Sequence, residues 1–549
     1  MKIILFHKNR LKETYGEILL LLFLLIPSLL LLQWGNDWGL NSMYHPDELA
    51  LARPIINQFI PIEADFSGIL NTQPNGFMNL MFILLSIFPG HEEIIQLLQI
   101  QGISVIYSFG RNLSTIFTLL SSIALYYTAK ELYSKDVGLL SAIFLSITPV
   151  IVWNSHYFYN DIPAMCFVTF SLLFAAKTLH SQKIHWPVLS SVFAVFALST
   201  KSTGGIALLF PVIAILFSMK KITNYNDLKV IISFSHLKKL FTQKRTYFTI
   251  AIIIILPFIL NSNMITLYDH YFPKFIIDSS NLTEANYDII KAKPWILFPI
   301  VYSSIISPQF ILGLPLFLFT LVSVILLFKS IKKENLLLLI PLITFQLIIG
   351  LTWTQIYFRY LILIIPITTI IVSRQLILWT KYTSNIKKYI AIFLIFIILT
   401  HTALFTIQTT SRFSNDTRDK AQIWIYQNIK HGSTLMARGA FSSVDSVRLN
   451  KNIYQLVSVP GKFQIFNKNK PDYFITSTIA DGSFKRHTKL TEKNIQQIKI
   501  LEFIENDNEY KLIKTFESEF IHKSYYTWLD PYFEGFYISP TIKIYQKNN

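Results

Sequence analysis

Long apolar runs recur along most of this sequence, and they constrain its fold more than any other feature. A helix needs about 20 apolar residues to cross a hydrocarbon layer of about 30 Å, and it satisfies its own backbone hydrogen bonds there. The runs are residues 17–33, 111–129, 137–153, 163–178, 187–200, 203–218, 247–262, 310–328, 336–352, 361–379 and 389–407. We therefore predict a mainly α, polytopic membrane domain with about 11 spans, in a range of about 11–13.

The composition agrees with a membrane protein. Hydrophobic residues make up 52% of the 549 residues, charged residues make up 15%, and the mean hydropathy is +0.43. A soluble chain carries about 25% charged residues. The formal net charge is +17, but the cations cluster between apolar runs, as topology signals do. We therefore do not expect nucleic acid as a partner.

The positions of the cations predict the orientation of the chain. With the N-terminus inside and about eleven spans, the Lys- and Arg-rich segments all fall on the cytoplasmic side. These segments are 2–12, 130–135, 177–183, 219–246, 329–333 and 381–388. We expect a multi-pass plasma-membrane protein, with the long first outer loop, 34–110, and the C-terminal region outside.

Two apolar stretches do not fit this scheme as spans. Residues 76–88 would be only about 20 Å long as a helix, and counting them would invert every later loop. We predict that they form an interfacial or re-entrant hairpin within the first outer loop. Residues 294–309 are similar, because Trp295 and Tyr302 suit a membrane interface.

The pattern changes from about residue 410. Residues 416–429 have the pattern of an amphipathic helix that ends near Gly432. Short apolar runs predict strands at 473–476, 498–504 and 542–545. We therefore divide the chain into a transmembrane domain, 1–409, and a small α/β extracytoplasmic domain, 410–549.

An acidic pair follows the first apolar run, in the sequence Tyr44-His45-Pro46-Asp47-Glu48. Carboxylates near hydrocarbon are costly, so a membrane protein that keeps them there usually uses them. One interpretation is structural: Pro46 and the two acids suit the first turn of a surface helix over 46–60. The other is a general base at the interface, where a lipid headgroup and a water-borne acceptor meet.

A second acidic residue, Asp161, ends the outer connection His156-Tyr157-Phe158-Tyr159-Asn160-Asp161-Ile162-Pro163. It is either the N-cap of the fourth span or a second acidic group on the same outer face as Asp47. Two acidic groups that converge on one face form a more specific signal than either alone.

Three cations, Arg111, Lys201 and Arg359, lie at the outer ends of spans, on the cation-poor side. A lone cation at a membrane edge commonly snorkels toward water. Together these three suit a lipid phosphate, whose departure needs charge neutralisation, and Arg53 is a fourth candidate. The candidates for acceptor binding or site lining are His45, His156, Tyr159 and His270.

Known cofactor signatures do not occur in this sequence. It has no P-loop, dinucleotide-binding or HExxH motif, and its single cysteine, Cys166, excludes an internal disulfide and a cysteine-rich metal site. Mg²⁺ or Mn²⁺ shared by Asp47 and Asp161 would suit their chemistry, but no further clustered ligand is evident. We expect no cofactor and no metal.

Four stretches in this order resemble the GT-C glycosyltransferases. The similarity is to the dolichyl-phosphate-mannose protein mannosyltransferases and their prokaryotic relatives, including the aminoarabinose lipid A transferases. The stretches are Tyr44–Glu48, Gly110–Ser114, His156–Pro163 and Ser199–Gly204, with Arg359–Leu361 as a weaker fifth. The resemblance covers residues 10–220 well and the remainder loosely. The C-terminal region does not resemble the β-trefoil of the eukaryotic protein mannosyltransferases.

The resemblance implies an inverting transfer of a sugar from a polyprenyl-phosphate donor to a hydroxyl of a lipid, glycan or protein acceptor, outside the membrane. It implies Asp47 as the catalytic base, Glu48 as its support, and Asp161 as a residue that positions the acceptor or Asp47. Arg111, Lys201 and Arg359 would then bind the donor phosphate.

Two other classes of protein remain as alternatives. A polytopic transporter or lipid flippase would suit the many spans, although its charges would be expected near the bilayer midplane rather than at one face. A receptor or assembly scaffold would use the C-terminal domain for binding and would not need the acidic pair.

Overall fold

The structure is a computed structural model. It describes the chain apart from residues 1, 41, 43, 62–73, 220–221, 223–226, 228–229, 231–232, 262–303, 306, 353–357, 382–384, 438–446, 479–491, 518–537 and 549. The predicted interfacial stretch 294–309 and His270 therefore lie largely or wholly outside the described residues.

Helices dominate the described chain as far as residue 414. Helices α1 to α9 are Lys2–Gln33, Pro46–Phe59, Gly76–Leu85, His91–Gln101, Ser104–Leu132, Lys135–Ile147, Pro149–Ser155, Asp161–His180 and His185–Thr200. Helices α10 to α17 are Leu209–Ser218, Phe234–Phe241, Lys244–Leu260, Ser307–Leu312, Leu314–Phe328, Lys333–Thr352, Ile365–Lys381 and Asn385–Ser414. The 3₁₀ helices Ser202–Leu208 and Phe358–Ile364 lead directly into α10 and α16. Each apolar run predicted to span the membrane is helical along nearly its whole length.

The number of spans that can be counted is smaller than predicted. Among the described residues, four helical stretches are long and apolar enough to cross a membrane: Gly76–Gln101, Asp161–His180, Arg359–Lys381 and Lys388–Asn428. A fifth is counted if α6 and α7, which meet at a bend of 54°, form one span. The count falls short of eleven because several apolar helices are short: α9 has 16 residues and α14 has 15. The total of eleven stays a prediction, as does the orientation.

The hairpin predicted over 76–88 corresponds to a break between α3 and α4. The π-helical segment Ser86–Gly90 separates them, and Phe88 has an extended backbone there, with φ −132° and ψ 103°. The two helices together still meet the length and apolarity criteria for one span. Their position at the membrane interface stays a prediction.

Helix α8 lies within the bundle and carries the predicted site residue Asp161 at its start. It packs against α5, α9 and α10, and small residues allow this close approach. The hydroxyl groups of Ser171 and Ser190 donate to each other's backbone oxygens across α8 and α9, at 2.8 and 2.9 Å. These bonds satisfy polar groups that have no access to water.

The C-terminal part contains a five-stranded mixed sheet. Strands β1 to β5 are Thr434–Ala437, Gln455–Ser458, Tyr473–Ser477, Tyr510–Phe516 and Ile542–Lys547, and their order in the sheet is β2-β1-β3-β5-β4. Strand β1 is parallel to β2 and β3, whereas β5 is antiparallel to β3 and β4. Helices α18 to α20 are Thr417–Asn428, Phe463–Lys468 and Glu492–Asn506.

Alternating side chains of the strands build two cores, one on each face of the sheet. Leu435 and Ile475 pack with α18 on one face, whereas Met436 and Phe474 pack with α19 and α20 on the other. This arrangement agrees with the predicted small α/β fold. The proposed boundary at residue 409 falls inside α17; that boundary and the extracytoplasmic location stay predictions.

One predicted strand is wrong. Residues 498–504 belong to α20, because Gln497, Ile500 and Ile504 are buried at a spacing of three and four residues, which is the helical period. The strands predicted at 473–476 and 542–545 are present as β3 and β5. Strands β1, β2 and β4 were not predicted, and within β4 only Tyr510 is buried. The helix predicted over 416–429 is present as α18, and Gly432, with φ +85°, follows it.

Candidate functional site

Helix α2 begins at the acidic pair and separates its two carboxylates. Pro46 is the first helical residue, and Asp47 and Glu48 follow in the first turn. The side chain of Glu48 is fully buried, whereas that of Asp47 is 27% exposed. The pair therefore divides into one carboxylate in the protein interior and one that solvent or a ligand can reach.

Glu48 is held in a buried ion pair with Arg111 of α5. Arg111 donates from Nε and Nη2 to the two carboxylate oxygens, each at 2.8 Å, and both side chains are fully buried. The backbone N–H of Phe158 also donates to Glu48 at 2.7 Å. Arg111 Nη1 donates to the backbone oxygens of Asn36 and Trp38, at 2.9 and 2.7 Å. Glu48 therefore joins α2 to α5 and to the connection before α8, and Arg111 adds the segment between α1 and α2.

This geometry bears on the roles predicted for Arg111 and Glu48, which stay predictions. Arg111 was predicted to bind the donor phosphate, but it is fully buried and its guanidinium is bound to Glu48 and to two carbonyl groups. Glu48 was predicted to take part in catalysis, but both of its oxygens accept hydrogen bonds within the protein. Through these contacts the two residues connect the segments that carry Asp47 and Asp161.

Asp47 forms an ion pair with Arg359, at the start of the second 3₁₀ helix. Burial raises the pKa of the Asp47 carboxyl group, but the positive charges of Arg359 and Lys201, together with His45, outweigh this effect and hold its pKa below the usual value. Asp47 is therefore ionised at neutral pH, which is the state that a general base requires.

Asp161 forms a second ion pair, with Lys201 at the end of α9. The N-cap of α8 is Asn160, and its side chain forms no capping bond, so capping does not account for Asp161. The other carboxylate oxygen of Asp161 is buried and has no hydrogen-bond partner within the described residues.

The ring of Tyr159 lies between the two ion pairs. Lys201 Nζ is 5.4 Å from the ring centroid, and Arg359 Cζ is 5.1 Å from it. Lys201 also contacts the ring of Tyr360, at 5.0 Å. The four-charge cluster of Asp47, Asp161, Lys201 and Arg359 thus surrounds one tyrosine, and it brings together five of the residues predicted from the sequence.

The remaining predicted residues that the structure describes do not belong to the two ion pairs of this cluster. His156 is fully buried, contacts the backbone oxygens of Val152 and Trp34 at 2.8 and 3.1 Å, and stacks on Phe413. Its role in acceptor binding or site lining stays a prediction. His45 is 8% exposed and packs 4.0 Å from the ring of Tyr157. Burial lowers the pKa of His45 to about 4, so it is neutral at physiological pH. The side chain of Arg53 is exposed on α2.

A connection between the first outer loop and α18 was not predicted. Tyr44 donates its hydroxyl to Asp419 at 2.7 Å, and the guanidinium of Arg418 lies 3.7 Å from the Tyr44 ring centroid. Trp38 donates to Asp416 at 2.9 Å, and Asp416 also pairs with Arg418 at 2.8 Å. Asp416-Thr-Arg418-Asp419 stands out as a charged group, but nothing in the sequence indicates its distant aromatic partners.

The cluster has the groups needed for transfer away from a phosphate. Two cations can neutralise a phosphate leaving group, and one partly exposed, ionised carboxylate can accept a proton. No group of three or more His, Cys, Asp or Glu side chains with metal-binding geometry occurs in the described part of the chain. The expectation of no cofactor stays a prediction.

Part of the sequence matches a known protein family. Residues 108–259 match the family model of the dolichyl-phosphate-mannose-protein mannosyltransferases. No curated protein sequence matches the chain.

Two solved structures are similar to this chain. Archaeal oligosaccharyltransferase AglB from Archaeoglobus fulgidus, in complex with an inhibitory peptide and a dolichol-phosphate, is 10% identical, with a TM-score of 0.51 over 97% of this chain and 89% of that chain. ArnT from Cupriavidus metallidurans, bound to undecaprenyl phosphate, is 12% identical, with a TM-score of 0.45 over 95% of this chain and 97% of that chain. The family match thus extends from α5 to α12, and the chain shares its fold with AglB.

Proposed function

We propose that this enzyme transfers a sugar from a polyprenyl-phosphate donor to an acceptor hydroxyl on the extracytoplasmic side, with inversion at the anomeric carbon. The observation that carries this proposal is the convergence of Asp47–Arg359 and Asp161–Lys201 on Tyr159. The structure of AglB, which shares the fold, contains a dolichol-phosphate, and this supports a lipid phosphate as the donor group. The charges lie at the predicted outer ends of the spans rather than near the bilayer midplane, where transporter sites lie. This placement favours transfer over the transporter or flippase alternative.

The ion pairs suggest how the donor and the base would be coupled. Arg359 and Lys201 would bind the donor phosphate, and the phosphate would compete with the carboxylates for these cations. Asp47 would then be released from Arg359 and become free to accept the proton of the acceptor hydroxyl. The hydroxyl oxygen would attack the anomeric carbon, and the bond between that carbon and the phosphate oxygen would break. The cations would stabilise the charge that develops on the departing phosphate.

Replacement of Asp47 by Asn tests the role of the base. General-base catalysis contributes roughly 10²–10⁴-fold, so Asp47→Asn is expected to lower transfer by that factor. Transfer is measured as the mass change of envelope lipids and glycans when cells that lack the protein are complemented. Asp37→Asn is the matched control, because Asp37 is an exposed carboxylate in the same outer loop. Equal complementation by Asp47→Asn and wild type would refute the assignment.

Binding of undecaprenyl phosphate to the purified protein tests the two cations separately from the chemistry. We expect Arg359→Gln and Lys201→Gln to weaken binding about tenfold or more, since each removes a charge-assisted contact worth about 1.5–3 kcal/mol. Asp47→Asn should bind at least as tightly as wild type, because it removes the carboxylate that competes for Arg359. Weaker binding by Asp47→Asn would contradict the proposed competition.

A further inference from the structure

A basic cavity lies at the end of the helical bundle opposite the four-charge cluster. Helix α8 connects the two places: Asp161 at its start belongs to the cluster, and His180 at its end lines the cavity. Its 20 residues span about 30 Å. The cavity has a volume of about 1040 Å³, which is at the upper end of the range for small-ligand sites. It is therefore separate from the proposed transfer site and large enough for a ligand of its own.

Among the described residues, five cations and one carboxylate, that of Glu334, line this cavity. The cations are Lys329, Lys332, Lys333, Arg374 and Lys381.

Two of the cations already have interaction partners within the protein. Lys381 pairs with Asp136 at 2.5 Å, and Lys333 donates to the backbone oxygen of Leu179 at 2.7 Å. The carboxylate of Glu334 faces His180 at 3.8 Å. Within the described residues, the side chains of the other three cations form no ion pair and no hydrogen bond. The cavity therefore has an excess of positive charge that the protein itself does not neutralise.

Arg374 is the most informative of these cations. It belongs to α16, about two turns before that helix ends, and its guanidinium lies 5.2 Å from the ring centroid of Tyr133. Tyr133 is fixed in turn, because its hydroxyl donates to the buried Asn335 at 2.8 Å. An arginine within an apolar helix is costly and usually has a functional partner. Here the ring orients the guanidinium without neutralising its charge.

A further arginine lies behind the cavity wall. Arg245 is 5% exposed and donates from Nη2 to the hydroxyl of Ser218, which itself lines the cavity, at 2.9 Å. Its Nε donates to Gln243 at 2.6 Å, but its buried Nη1 has no acceptor within the described residues. This charge adds to the positive potential of the same wall.

We propose that the cavity binds a phosphate-bearing anion, either the headgroup of an anionic lipid or a soluble phosphate ester. Lysine and arginine are the residues that bind phosphate oxygens, and arginine does so with a fixed fork of donors. Basic pockets between membrane helices on the cytoplasmic side bind anionic headgroups, and the distribution of Lys and Arg predicts that this end of the bundle is cytoplasmic. The proposal does not depend on the transfer reaction.

Native mass spectrometry of the full-length protein in detergent provides the test. Phosphatidylglycerol, phosphatidylcholine and inorganic pyrophosphate are added separately, and saturable binding is measured for each. The cavity variant is Lys329→Gln/Lys332→Gln/Arg374→Gln. The control variant, Lys183→Gln/Lys238→Gln/Lys239→Gln, removes the same charge from exposed residues outside the cavity.

The wild type is expected to bind one anion per chain. A lysine or arginine near a lipid headgroup contributes about 1 kcal/mol, or about fivefold in affinity, so the cavity variant should lose on the order of 100-fold. The control variant should keep the saturable site. Preference for phosphatidylglycerol over phosphatidylcholine, without competition by pyrophosphate, identifies a lipid; displacement by pyrophosphate identifies a soluble ester.

A second variant distinguishes a loss of binding from misfolding. Lys329→Gln/Lys332→Gln changes only two exposed lysines and should lose about 25-fold in affinity while unfolding like the wild type. The proposal is overturned if the wild type has no saturable anion site, or if the cavity and control variants lose binding equally.

Discussion

The buried pair Glu48–Arg111 is expected to act on stability rather than directly on chemistry. Glu48→Gln leaves the guanidinium of Arg111 without a counter-charge at a position with no exposure to solvent. Removing one partner of a buried ion pair costs about 3–5 kcal/mol, because the other charge is then buried and uncompensated. Two hydrogen bonds from Arg111 and one from the Phe158 N–H are affected at once. We therefore expect Glu48→Gln to lower the free energy of unfolding by about 3–5 kcal/mol.

A double-mutant cycle separates the pair from its surroundings. Arg111→Gln should cost about as much as Glu48→Gln, for the converse reason. The double variant should be less destabilised than the sum of the single variants by about 2–3 kcal/mol, since contacting residues couple by up to that amount. Glu92→Gln is the matched control, because Glu92 is an exposed glutamate at the start of α4, and it should change stability by less than about 0.5 kcal/mol.

The assay is equilibrium unfolding in detergent, with sugar transfer measured on the same preparations at a temperature where all variants are folded. The structural assignment predicts lower stability with transfer largely preserved in the folded fraction. If Glu48→Gln unfolded like the wild type and lost transfer, Glu48 would act in the chemistry, and our reasoning about its burial would be wrong.

Two further predictions concern the packing and the pH response of the same region. Gly110→Ala should cost about 1–3 kcal/mol, because a Cβ at Gly110 would overlap the ring of Phe158; unchanged stability in the same unfolding assay would contradict this packing. The buried, neutral His45 has a pKa of about 4, against 6.5 for the free side chain. The unfolded chain therefore binds the extra proton as the pH falls below about 6.5, and stability should decrease by about 3 kcal/mol by pH 4. His45→Gln should reduce this dependence between pH 6.5 and 4 and leave the region above pH 7 unchanged, whereas an identical pH profile for variant and wild type would refute the assignment.

The sequence by itself determined the helical character of the apolar runs, and it indicated four charged residues that the structure brings together. Hydropathy was sufficient for the helices, because backbone groups in lipid must be satisfied within each helix, so an apolar run of sufficient length has one main solution. Asp47, Asp161, Lys201 and Arg359 were identified because charges at the ends of apolar runs are unusual enough to indicate use. The motifs that contain these residues, in their order along the chain, also carried the resemblance to the GT-C glycosyltransferases.

Tertiary structure decided which charge pairs with which. Asp47 and Glu48 are neighbours in the sequence, yet α2 directs one toward Arg359 and buries the other against Arg111. The helical rotation of about 100° per residue separates adjacent side chains, and the facing segments come from distant parts of the chain. Sequence patterns record local periodicity, so they distinguish neither a buried structural arginine from a phosphate ligand nor the strand predicted at 498–504 from helix α20. The division of the acidic pair into a buried and an accessible carboxylate therefore became visible only in the folded chain.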